Sequence, residues 1–222
     1  MSRSHLAIAS LALAASLPAA ATIISGAVTG GSALTAGGTF VKLTVPLSNP
    51  FGAPDSVGND NFQSPNLFGF DEDQNIVLTA PLSANVGMTT LPAGTTVASH
   101  YIFFDPGPTE KIIGTVDFDS PVLAIITSTT TLAASDFLAN TGVNYLNPGN
   151  RGLEAGDSVT ISGTNQILFD TTASSPGDYV RVLTAFSPGA TGSTSAPEPP
   201  ATALAASALA LFALLARKRG WR

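Results

Sequence analysis

A calcium ion needs oxygen donors at alternate positions of a loop. Asp71-Glu72-Asp73-Gln74-Asn75 offers Asp71, Asp73 and Asn75 in that spacing. An EF-hand would continue with Gly at its sixth position and Glu at its twelfth. Those positions hold Ile76 and Leu82, so an EF-hand is excluded. What remains is a non-EF calcium site completed by Asp55, Asp60 or Asn61, set against a plain solvated acidic turn before a strand. Asp117-Phe118-Asp119 puts two carboxylates on one face of a strand, which suits a glycosidase pair, a cation site, or simply the wet face of a sheet. His100 has no Gly-x-Ser-x-Gly elbow and no second histidine within the body of the chain. It reads as a packed or hydrogen-bonded residue rather than a triad base or metal ligand. Thr127-Ser128-Thr129-Thr130-Thr131 is a hydroxyl run that does not repeat, and reads as a polar strand end or loop. The chain has no Cys, so thiol catalysis and thiolate metal sites are excluded. No phosphate-cradling Gly loop, dinucleotide fingerprint or basic aromatic patch is present.

The elements that must position these residues are short strands. Residues 22–29 read as a first strand, followed by a loose Gly-rich loop. Phe40 to Val45 alternates toward a second. Residues 46–69, with Pro46, Pro50, Pro54 and Pro65, read as one long stiffened loop. Asn75 to Thr79, Ile112 to Phe118, Val122 to Thr127, Ser158 to Ser162, Gln166 to Asp170 and Tyr179 to Phe186 read as further strands. Val97 to Phe104 is apolar on both faces and reads as a central strand. Leu132 to Ala139 is the single helical stretch of the body, with Ser135 and Asp136 as its cap. Turns at Leu91-Pro92-Ala93-Gly94, Asn147-Pro148-Gly149-Asn150 and Ser174 to Asp178 separate these elements. The expected fold class is all-β, an antiparallel β-sandwich or jelly-roll-like domain over residues 22–186. The lack of a long amphipathic helix argues against a doubly wound α/β fold.

The two ends have a different composition. Arg3, an apolar run from Leu6 to Leu17, then Pro18 and Ala19-Ala20-Ala21 make the tripartite pattern of a signal peptide over residues 1–21. Ala19 and Ala21 fit the small pockets of a signal peptidase, with cleavage after Ala21. The apolar run is too short to span a bilayer, which needs ~20 residues. Residues 187–196 are Gly, Ser, Thr, Ala and Pro with no large apolar side chain after Ser187, and read as a linker. Pro200 to Ala216 is charge-free and, at 1.5 Å rise per residue, about 25 Å long, the lower limit for a transmembrane helix. Arg217, Lys218 and Arg219 follow as a basic stop that keeps its end cytoplasmic. Between the ends, four basic residues face fourteen acidic ones, a net charge of −10. Such a surface repels phosphate backbones and argues against nucleic acid as a partner.

Pro197-Glu198-Pro199 lies directly between the linker and the apolar segment. Together with that segment and Arg217-Lys218-Arg219, it resembles the PEP-CTERM sorting tail of Gram-negative bacteria. The resemblance covers residues 197–222. It implies cleavage near Pro-Glu-Pro by an exosortase, an integral-membrane transpeptidase-like enzyme, and passage of the product to the cell surface or the exopolysaccharide matrix. Proline on both sides of Glu198 keeps the motif extended, as a protease groove requires. Gly69-Phe70-Asp71-Glu72-Asp73-Gln74-Asn75, Pro92 to Tyr101, and Asn147-Pro148 through Asp157 are similar to the exported portions of other PEP-CTERM proteins. This adds location rather than chemistry.

These readings lead to an exported, non-catalytic surface or matrix protein with a transient single-pass anchor, processed by a signal peptidase and an exosortase. No cofactor is expected unless calcium binds. Two alternatives share the scaffold. One is a calcium- or carbohydrate-binding module, which would need Tyr101, Phe103, Phe104 and Tyr145 exposed for sugar stacking. The other is a secreted hydrolase using Asp117, Asp119 or Asp157, which would need two carboxyl groups ~5–10 Å apart in a cleft.

Overall fold

The computed structural model describes residues 22–44 and 55–185. The signal peptide with Ala19 and Ala21, the linker, Pro197-Glu198-Pro199, the apolar segment 200–216 and Arg217-Lys218-Arg219 lie outside the described residues. Among the described residues, no helix is long and apolar enough to cross a membrane.

The described residues form fifteen strands: β1 Ile23–Gly30, β2 Phe40–Lys42, β3 Ser56–Val57, β4 Leu67–Asp71, β5 Ile76–Val77, β6 Leu82–Ser83, β7 Val86–Gly87, β8 Thr90–Leu91, β9 Thr96–Phe104, β10 Glu110–Phe118, β11 Val122–Ile126, β12 Asn144–Tyr145, β13 Ser158–Gly163, β14 Gln166–Ala173 and β15 Asp178–Thr184. Two short helices interrupt them, α1 Gly31–Thr35 and α2 Thr129–Ala134, with 3-10 turns at Asp136–Leu138 and Pro148–Asn150. The fold is all-β, as the alternation and turn spacing predict. Its sheets are mixed rather than purely antiparallel, because β2 runs parallel to β4 and β12 parallel to β3.

Two sheets carry the body. The smaller runs β1-β10-β14-β13, all antiparallel. The larger runs β2-β4-β9-β15-β11-β7, with β5 also pairing with β9. The strands of the smaller sheet alternate buried and part-exposed residues. Ile112, Val116 and Phe118 of β10 and Ile167 and Phe169 of β14 point inward. They pack against Ile102, Phe104, Val180 and Val182 of the larger sheet in one shared apolar layer. The opposite face of the larger sheet is covered by segments of the chain between its strands. Phe62, Leu78, Leu91, Leu132, Leu138 and Val143 close over Phe70, Tyr101, Phe103 and Tyr179. The larger sheet is therefore a middle layer. This explains why β9 is buried at eight of its nine positions and β15 at all seven.

Several local expectations change. Residues 46–69 do not form one loop, since β3 and β4 fall within their described part. The Gly-rich stretch after β1 holds α1. There Gly31 has φ +83° and a Cβ would collide with the Lys111 carbonyl. The helix expected at Leu132–Ala139 begins earlier. The hydroxyl run supplies its first turn, with Ser128 as the N-cap accepting from the Thr131 N–H. Asn75–Thr79 narrows to the two residues of β5.

Candidate functional site

The charged centre of the body lies under the covering segments. Arg181 sits in the middle of β15 and is fully buried. Its Nε and Nη2 donate to the two carboxylate oxygens of Glu72 at 2.6 and 2.8 Å. Nη1 donates to the Leu132 carbonyl at 3.1 Å and to the Ser135 hydroxyl, and Nη2 donates also to Asp136 at 3.2 Å. A guanidinium has five N–H donors, and all five are engaged here. Arg151 grips Asp136 through Nη1 at 3.0 Å and Nη2 at 2.6 Å, and Ser99 donates to Glu72 at 2.6 Å. Two guanidiniums and two carboxylates make a network with no net charge. Tyr101 and Tyr145 flank it, with Arg181 over their rings at 5.5 and 5.8 Å. Burial alone would lower the Arg181 pKa, but the charge and hydrogen bonds of Glu72 raise it instead. The network fastens α2 and the 3-10 turns to the sheet.

A second chain of groups runs through His100 on β9. Its Nδ1 lies 2.7 Å from Asp71 Oδ1 and its Nε2 3.1 Å from the Thr184 hydroxyl. With the proton on Nδ1, the imidazole donates to the carboxylate and accepts from threonine. This is the connectivity of an acid–base–nucleophile triad. His100 and Thr184 are both fully buried, however, so the chain ties β4, β9 and β15 together instead of facing solvent. Asp71 also accepts the Ile23 N–H at 3.0 Å and pairs with Lys42 at 2.8 Å. Burial works to raise its pKa, but His100, Lys42 and the Ile23 N–H outweigh it and hold the carboxyl below the usual range.

These contacts decide where the sequence candidates stand. Both Asp71 oxygens are engaged, so a cation there would have to displace a lysine. Asp73 keeps a half-buried carboxyl, raised in pKa by burial and by the charge of Glu72, while Asn75 adopts a left-handed backbone at φ +56°. Glu72, between them, turns inward to Arg181. Among the described residues, no three His, Cys, Asp or Glu side chains gather as a metal site. Asp117 takes a part-exposed position of β10 between the inward-facing Val116 and Phe118, and Asp119 follows the end of the strand, half-buried. Asp117 accepts from Ser25 at 2.8 Å and from Gln166 at 2.7 Å. Asp157 accepts the Thr172 N–H at 2.7 Å. Gln166 and Thr172 are six residues apart on β14, which puts Asp117 and Asp157 about 20 Å apart. That is well beyond a glycosidase pair. Tyr101, Phe103 and Phe104 are fully buried and Tyr145 is half-buried, edge-on to Tyr101 at 5.2 Å. The sugar-stacking platform expected of these four rings is instead part of the core.

The residue patterns around Glu72, Asp136 and Arg151 carried no motif, and the sequence reading did not single out their pairing. One signal was available. The body has only four basic residues, and two are arginines in apolar surroundings, where an unpaired charge is not tolerated. In the structure all four are ion-paired: Lys42 with Asp71, Lys111 with Asp170, Arg151 with Asp136, and Arg181 with Glu72 and Asp136. Comparison with protein-family models, curated proteins and solved structures returned no match.

Proposed function

We propose that this chain is an exported, non-catalytic protein of the cell surface or exopolysaccharide matrix. Its body is a largely antiparallel β-sandwich of jelly-roll character. It is exported through the signal peptide 1–21, held briefly by the apolar segment 200–216, and released by processing at Pro197-Glu198-Pro199. The observation that carries the proposal is the order of the C-terminal pieces: linker, Pro-Glu-Pro, charge-free segment, basic stop. The body supports it. Its arginines and its histidine are engaged in internal bonds between covering segments and strands, as suits a durable shell more than a reactive cleft. The remaining acids give it a soluble, anion-repelling surface.

The test is to replace Pro197, Glu198 and Pro199 together with alanine in the native host. The wild-type protein is expected outside the inner membrane and the variant retained within it. Equal distribution of the two would refute the proposal.

A further inference from the structure

The loop before β4 and the end of β9 meet at two carboxylates. Asp105 is fully buried. Its Oδ2 accepts the Phe62 N–H at 3.1 Å, and its backbone carbonyl accepts the Ser64 N–H at 2.9 Å. Its Oδ1 is buried and takes no hydrogen bond of normal geometry, while the Tyr179 hydroxyl near this carboxyl donates to the Pro176 carbonyl at 2.6 Å. Asp60 stands beside it on a left-handed backbone, φ +59°. One oxygen of Asp60 takes the Gln63 amide at 3.3 Å, while its Oδ1 is likewise buried without a donor. Asn59, the preceding residue, holds a third such oxygen. Donorless buried oxygens are rare in folded proteins and call for a counter-charge or a ligand. Among the described residues there is no free counter-charge, since every Lys and Arg is paired with another acid.

We infer that Asp60 and Asp105, with the Asn59 carboxamide as a neighbouring donor, form a binding site for a hard divalent cation, calcium by its ligand chemistry. Carboxylate and amide oxygens on a loop match the oxygen-only, irregular coordination that calcium accepts. There is no His or Cys in the set, which disfavours zinc and copper. A cation would satisfy the donorless oxygens and neutralise two adjacent charges that now repel. The site is distinct from the Asp71–Asp73–Asn75 stretch and does not depend on whether the tail is processed. It would pin the loop of residues 55–66 to β9.

The experiment uses the full-length chain in detergent, stripped with chelator and titrated with CaCl2 by calorimetry and thermal melting. The expected result is one calcium per chain, with a Kd in the range of about 10⁻⁴–10⁻³ M typical of extracellular modules. At a hundredfold excess over Kd, Tm should rise by about 5–10 °C. D60N and D105N should each weaken binding at least tenfold, while D73N should bind as wild type. D60N changes a partly exposed residue, so it decides the matter if D105N does not fold. No heat and no Tm change up to about 10 mM calcium, well above that range, would overturn the site. So would calcium binding unaffected by D60N. D105N melting above wild type, with no calcium heat in either protein, would mean that the two carboxyls only share a proton, and the site would again be overturned.

Discussion

Arg181 and Glu72 lie 109 residues apart in sequence and meet in a two-point ion pair from which solvent is fully excluded. A buried pair of this kind is asymmetric in its energetics. Removing one partner leaves a naked charge in the core, whereas removing both leaves mainly a packing problem. Glu72→Gln is therefore expected to cost about 3–5 kcal/mol. The double replacement Glu72→Leu with Arg181→Met should recover much of that loss. Urea denaturation of Glu72→Leu, Arg181→Met and the double variant, treated as a cycle, measures the coupling. Additive losses would show that the pair is not a unit.

Stability should also depend on pH in a direction unusual for an acidic protein. Asp105 and Asp178 are both buried, and burial is the main reason each pKa is pushed up to about 7. Such an acid binds more protons folded than unfolded between its two pKa values, so stability falls as pH rises through that window, here from about 4 to about 7. Asp71 works the other way. Its lowered pKa gives stability present above about pH 4 and lost as pH falls below it. In calcium-free buffer the chain should gain a few kcal/mol on going from about pH 8 to about pH 5, then lose stability toward about pH 2. Asp178→Asn should flatten part of the slope. Urea melts across this range at constant ionic strength provide the check, and an unchanged slope in the variant would contradict the assignment.

Ser128 links the hydroxyl run to the covering layer. It caps α2, and Asn85 accepts from the N–H groups of Thr127 and Ser128 at 2.8 and 3.1 Å. Ser128→Ala should cost about 1 kcal/mol, in line with other lost N-caps. Ser128→Asp, which can still cap, should cost less. Thermal melts of the two variants would show whether the run serves as a cap; equal losses would deny it.

The strands at the centre of the fold were the easiest to read. Val97 to Phe104 is apolar on both faces, which only a strand covered on both sides can use, and β9 is such a strand. The all-β class followed from the same alternation. Leu67–Asp71 was hidden by the prolines before it and by Gly69, whose missing side chain lets Ile102, Ile23 and Phe40 close over the strand. The candidate sites were less legible, because their members come together only through pairing of distant strands. Asp71 faces His100 because β4 and β9 run antiparallel in that register. Asp105 begins an Asp-Pro-Gly-Pro turn, a place where carboxylates are ordinarily solvated, and no local pattern announces that the loop of residues 60–64 folds over it.

The central claim concerns what leaves the cell, and the most direct test is the intact mass of the native product, fraction by fraction. The account predicts a chain that begins at Thr22, ends near Pro197–Pro199, and is recovered outside the inner membrane. A chain still carrying residues 200–222 and held in the inner membrane would contradict it.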